Sequence, residues 1–167
     1  MAKTYLDQLV EYPAKIIKKI SEDKFCVALL TNKKISEVTE EDCDDVLDNY
    51  VYDYQYVDDT TQESRAYIWV DIEVNSVDNM QIKDIRAYIT IACHKSFMKL
   101  DQEKFAGTIG NRKDNLVRYV DKLLNNSDIA GIGKLKLQAV KTLTPISGFA
   151  VRELTYEVPD FNIVTLE

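Results

Sequence analysis

The chain has 167 residues, 46% of them apolar and 29% charged, with only five glycines and three prolines and a net charge of -7. This is the composition of one folded domain with a core of moderate size, and it excludes a collagenous or intrinsically disordered chain. The longest uninterrupted apolar run, Phe25 to Leu30, is far short of the roughly 20 residues that a membrane-crossing helix needs, so no membrane partner is expected.

The first stretch, MAKTYLDQLVEY, carries Asp7 and Glu11 and no apolar signal core, so export is not expected. Thr4 can cap a short helix with Leu6, Leu9 and Val10 on one side, and Pro13 suits the first turn of a second helix bearing Ile16, Ile17 and Ile20. Ser21 then opens SEDKFCVALL, whose two acids stand where a helix dipole favours them. Thr39 followed by Glu40, Glu41 and Asp42 repeats the device before Val46 and Leu47, with Thr39 and Asp42 as an approximate capping box.

Charge is segregated along the chain. Residues 1–34 hold seven lysines against four acids, and residues 35–63 hold eleven acids with no Lys or Arg. The acidic segment would repel a polyanion, so no specific nucleic-acid partner is expected. Its acids, Glu40, Glu41, Asp44 and Asp45 among them, form either a solvated face or a docking surface for a basic partner or a neighbouring copy. In YVYDYQYV, Tyr50, Tyr52, Tyr54 and Tyr56 would project from one side of an extended chain. They form either an arm over a hydrophobic surface or an aromatic stripe for a partner.

RAYIWVDIEV (65–74) alternates cleanly, with Ala66, Ile68, Val70, Ile72 and Val74 on one face and Tyr67, Trp69, Asp71 and Glu73 on the other. DIRAYITIAC (84–93) does the same with Ile85, Ala87, Ile89, Ile91 and Cys93 inward. The pair reads as an antiparallel hairpin with a long loop over 75–83. Tyr67, Trp69 and Tyr88 fall on the side opposite the aliphatic one, where they form either a second core or an exposed assembly surface. In GTIGNRKDNLVRYVDKLL, Asn111 and Asp114 form a plausible N-cap. Leu116, Tyr119, Val120, Leu123 and Leu124 make one apolar helical stripe, with Asp114 and Arg118 spaced as an i, i+4 pair opposite it. GKLKLQAV (133–140) is a third strand, 141–148 a loop, and FAVRELTYEV (149–158) a fourth strand whose phase slips at Arg152 and Glu153 as at a bulge.

The expected fold is therefore α+β: a four-stranded, mainly antiparallel sheet of two hairpins packed by an amphipathic helix, after a helical N-terminal third. The chain divides as one domain into a helical region (1–49), an acidic, tyrosine-rich connector or arm (50–64) and a sheet-and-helix core (65–161).

Chemistry is hard to find in this pattern. Cys26, Cys43 and Cys93 are odd in number and lack C-x-x-C spacing, which argues for reduced thiols and against a disulfide frame or a thiolate metal site. The GTIGNRKDN stretch lacks the spacing and the hydroxyl of a phosphate loop, so no nucleotide cofactor is expected. Gly107 and Gly110 look closer to a KH-type RNA-binding turn, but the stretch before them is a weak helix. His94 adjoins Cys93 on a strand, where neighbouring side chains point apart and form no dyad. Asp71, Glu73, Asp84 and Arg86 outline a nuclease-like metal cluster, yet cross-strand charge pairing accounts for the same residues. No calcium loop is present, because EEDCDDVLD has no turn glycine.

The order of YIWVDIEV, IRAYITIACH, GNRKDNLVRYVDKLL and a closing hairpin ending RELTYEVPDFN resembles the tail terminator or tail-completion proteins of tailed bacteriophages over about residues 65–161. The resemblance implies a structural virion protein and no enzyme. It would be a homo-oligomeric ring, usually of six copies, that caps the tail tube in the neck and offers a surface to the head-tail connector proteins. Assembly would take place in the host cytoplasm. Tyr52, Tyr54, Tyr56, Tyr67, Trp69, Glu40, Glu41, Asp44 and Asp45 are then candidates for the assembly interface, and the 75–83 and 141–148 loops for contact with the tube. The long N-terminal third departs from the smaller members of that family and fits another neck adaptor, such as a head-closure protein, equally well.

Overall fold

Apolar residues three and four apart turn the N-terminal third into three helices: α1 (Tyr5–Ser21), α2 (Lys24–Thr31) and α3 (Glu40–Asn49). The computed structural model describes residues 5–54, 64–78, 81–129 and 133–158. Thr4, expected to cap the first helix, lies outside them. Pro13 does not open a second helix but sits inside α1, where it removes the bond to the carbonyl of residue 9. Burial of Tyr12, Ile16, Ile17 and Ile20 along one stripe carries the helix past that gap, whereas Val10 is 75% exposed. Because α1 extends to Ser21, the cap of α2 falls to Asp23, whose carboxylate accepts from the Cys26 amide at 2.9 Å. The Thr39 capping box is complete: the Asp42 amide donates to Thr39 Oγ1 at 3.3 Å, and the Thr39 amide to Asp42 Oδ2 at 3.0 Å.

The strands are β1 (Val51–Tyr52), β2 (Ala66–Asp78), β3 (Gln81–His94), β4 (Lys136–Ile146) and β5 (Phe149–Val158), in the order β1-β2-β3-β5-β4. The sheet therefore has five strands and is mixed, because β1 runs parallel to β2 with Val51 opposite Ile68 and Tyr52 opposite Trp69. A two-residue strand leaves no alternation to read, which is why four antiparallel strands were expected.

Both expected long loops are strand instead. The 75–83 stretch continues the hairpin, pairing Ser76 with Lys83, Val77 with Ile82 and Asp78 with Gln81. Most of 141–148 belongs to β4, which shifts register between Leu137 and Ala139 and again between Leu143 and Ile146. Pro145 stands in the second irregularity of this edge strand, where its missing amide costs no ladder bond. Only Ser147 and Gly148 turn the chain, both at positive φ (44° and 86°), as a two-residue turn matching strand twist requires. The slip expected at Arg152 and Glu153 does not occur, since β5 pairs with β3 from Phe149 to Val158 without a shift. Arg152 instead occupies the helix-covered face, 3.6 Å from Asp114, which pairs with it rather than with Arg118.

Helix α4 (Arg112–Leu124) lies on that same face. Its Leu116, Val120 and Leu124 are fully buried against Ile89, Ile91 and Leu154, each contributing about 1.5–3 kcal/mol gross. Tyr156 of β5 donates to Asp121 of α4 at 2.9 Å across this layer. A second, smaller cluster of Trp69, Ala92, Phe149 and Val151 occupies the other face of the sheet, flanked by Tyr52, Tyr67 and Leu143.

Candidate functional site

The two glycines of GTIGNRKDN turn the chain at φ 75° and 93°, and two of the amides that follow are engaged within the fold. The Arg112 amide donates to the Met98 carbonyl at 2.9 Å, and the Asp114 amide to Asn111 Oδ1 at 2.9 Å. The two cations that follow are buried, Arg112 to 1% and Lys113 to 8% exposure. The Arg112 guanidinium donates from Nε to the Phe97 carbonyl at 2.8 Å, from one terminal nitrogen to the Leu29 carbonyl and from the other to Asn32 Oδ1 at 2.7 Å. It stacks 3.9 Å over the Phe97 ring. Burial presses its pKa downward, and the carbonyls at the C-terminal end of α2, where a helix dipole favours a cation, hold the charge in place. This arginine joins α2 to α4. Its signal in the sequence is a cation in the first turn of a helix, where the dipole favours acids.

Cys93 and His94 point to opposite sides of β3. Cys93 is in the main core, and burial pushes its thiol up to about 11. His94 meets Phe149 edge-on at 5.1 Å and lies 2.6 Å through Nδ1 from Ser96 Oγ, which donates to Ser64 Oγ at 2.7 Å. On the open face Glu73 lies directly opposite Arg86, and Asp71 opposite Tyr88. Burial raises the Tyr88 hydroxyl, and a hydrogen bond to Glu73 raises it further. Trp69, Asp71, Glu73, Tyr88, Thr90 and Glu153 line a depression of about 240 Å³ there. Among the described residues no group of three or more His, Cys, Asp or Glu side chains could hold a metal. The side chain of Asp84 lies outside them.

The candidate assembly residues divide between two places. Tyr52 is half-buried, 5.8 Å from Tyr54 and 6.4 Å from Tyr67 between ring centroids, and Tyr67 reaches Phe149 at 5.8 Å. Trp69 is buried to 4% beneath them. Tyr50 does not share this side, because it ends α3 and packs in the main core; Tyr56 lies outside the described residues. Glu40, Glu41, Asp44 and Asp45 are all exposed on α3, where Asp45 accepts from Asn49 at 2.8 Å. Asp42, on the same helix, is buried to 8% and takes Lys33 and Thr39 as partners.

The tyrosines and the acids meet at a groove of about 630 Å³ between α1, α3 and β1, with Ile17, Leu47 and Tyr54 among its apolar lining and Asp44, Asp48 and Asp53 on its rim. These three aspartates make no ion pair among the described residues. The sheet order puts this groove at one edge and β4 at the other. Residues 133–148 hold three lysines and no acid, and Lys134, Lys136 and Lys141 are exposed without an ion pair among the described residues. Sequence reading found the acids but not the groove, which exists only because α1 lies beside α3.

Comparison with known proteins bears on 22–158, the residues matched by the model of the family described as YomW. That is a family name from Bacillus phage SPbeta-like proteins, and it suggests a phage protein. No curated protein matches the chain.

Proposed function

Because the chain belongs to the YomW family, we propose that it is a structural protein of a phage particle: a ring subunit of the tail neck that caps the tail tube and joins it to the head. One observation carries this reading. The two edges of a single sheet differ in the sign of their charge, with the acids of α3 beside β1 and three exposed lysines along the β4 edge. A subunit whose two ends complement each other assembles head to tail, and such contacts close into a ring when the rotation per copy allows it. Six copies, the tail-tube protein below and the connector proteins above are the partners of this reading. The working state is in the virion neck, after assembly in the host cytoplasm. No catalysis and no cofactor enter into it.

The test is mass in solution, by sedimentation or light scattering, for the full chain alone and with its tail-tube protein. A closed oligomer in either sample supports the reading. A monomer in both overturns it. The helical third ahead of the sheet favours a second assignment, a head-closure or other adaptor ring at the same neck. It would bind the connector ring and leave the tail tube unbound.

A further inference from the structure

The depression of about 240 Å³ on the open face of the sheet is lined in rows across three strands. Trp69, Thr90 and Glu153 form one row, Asp71 and Tyr88 the next, and Glu73 lies beyond them. Every one of these side chains carries a polar group, and three are carboxylates. The cations of this face, Arg86 opposite Glu73 and Lys141 opposite Glu153, stand outside the lining. Asp71 and Glu153 make no ion pair among the described residues.

Acids on a surface are ordinarily answered by water, and alone they point to no ligand. The indole differs. Trp69 is 4% exposed, and its Nε1 is buried without an acceptor among the described residues. Thr155, as deeply buried and directly opposite Tyr88, leaves its hydroxyl unmatched on the same face. A buried donor without a partner is costly, and native folds rarely keep one unless something outside the chain supplies the acceptor.

The donor and the acceptors together select the chemistry of that supply. An indole N–H only donates, and carboxylates only accept. A cation would serve the carboxylates and leave the indole orphaned, while an anion would serve the indole and be repelled by the three acids around it. A hydroxyl does both, donating through its hydrogen and accepting through its oxygen. Several hydroxyls on one ring match several polar groups around one depression. The volume lies below the roughly 300–1,000 Å³ of pockets that enclose a drug-sized ligand, so it suits a single ring.

We propose that this depression is a carbohydrate site that seats one sugar ring, with one hydroxyl accepting from the Trp69 indole and others donating to Asp71 and Glu153. Glu73, which takes a hydrogen bond from Tyr88, and Thr90 complete the cradle. The site lies on the face of the sheet and does not depend on how copies of the chain assemble.

Trp69 is the only tryptophan, so a single indole cross-peak in the ¹⁵N–¹H spectrum of the full chain reports on it. Glucose, galactose, mannose, N-acetylglucosamine and N-acetylgalactosamine are titrated in turn, each also as its methyl glycoside. At least one should move the indole peak saturably, with a Kd on the order of 1 mM. A methyl glycoside that binds as well as its free sugar assigns the site to the end unit of a glycan, and one that fails assigns it to a free sugar. Trp69→Phe, Asp71→Asn and Glu153→Gln should each weaken binding about tenfold or more by calorimetry, with the fold retained. No saturable shift with any of these sugars overturns the site. So does a saturable shift with methylguanidine alone, which would make it a seat for a cation, and so does sugar binding that all three substitutions leave unchanged.

Discussion

The two faces of the sheet are built from the same alternating strands and have opposite fates. One is sealed beneath α1 and α4 and holds Ile68, Val70, Ile89, Ile91 and Leu154 at no measurable exposure. The other carries rows such as Glu73 opposite Arg86, and its apolar residues gather into one small cluster around Trp69. Charge follows the same division. On the sealed side the Arg112 guanidinium finds three acceptors; at the edges, Asp44, Asp48 and the β4 lysines find no ion pair among the described residues. The difference teaches that alternation assigns a residue to a face, whereas the elements laid over that face decide whether it is buried.

The severest way to break the contrast is Arg112→Ala. It strips the Leu29 and Phe97 carbonyls and Asn32 of a donor and opens a cavity, and should cost about 3–5 kcal/mol in urea unfolding. Loss below about 1 kcal/mol would mean that the arginine does not hold α2 to α4. Leu116→Ala, under the helix layer, should cost about 2–5 kcal/mol, while Leu143→Ala, half-buried on the open side, should cost about 1 kcal/mol or less. Equal losses would erase the distinction between the faces. Tyr156→Phe removes the 2.9 Å bond to Asp121 and should lower stability by about 1 kcal/mol by the same assay.

A pH titration sharpens the contrast at its margin. The hydrogen bond from Lys33, then the Thr39 amide, holds the Asp42 carboxyl below its ordinary range. Its contribution is therefore present above the ordinary aspartate value of about 3.9 and lost as pH falls through the lower folded value. Asp42→Asn should flatten the acid limb of the stability curve and leave its shape between about pH 6 and 9 alone, because the only other group it releases is Lys33, which titrates at high pH. The smallest change is expected at Trp69→Phe. Among the described residues the indole N–H is buried without a partner, so the lost volume is offset by removal of an unmatched donor, for a net effect within about 1 kcal/mol.

Much of the fold was legible where an element has both a dry side and a wet side. The alternation in 65–74 and 84–93 located β2 and β3, and the stripe from Leu116 to Leu124 with Asn111 as cap located α4. What escaped lacks that contrast. The ends of the β2–β3 hairpin and the Lys141–Ile146 half of β4 are held by backbone pairing without an alternating apolar pattern, and β1 is too short to show a period. Local propensity makes Pro13 a boundary, and the burial of Ile16 and Ile20 beside it overrides that propensity. Of the candidate site, the exposed acids of α3 could be read from composition. The basic complement across the sheet could not, because it depends on strand order.

The Arg112 bond to Leu29 spans 83 positions of sequence, so the helical third and the sheet core are stitched at their centre rather than hinged at the connector between them. A fragment that begins after residue 49 would keep the guanidinium and lose the Leu29 and Asn32 acceptors, stranding a cation in oil. Dissecting this chain into a helical piece and a sheet piece should therefore yield an aggregating remnant, and domain-level truncation is a poor route to its biology.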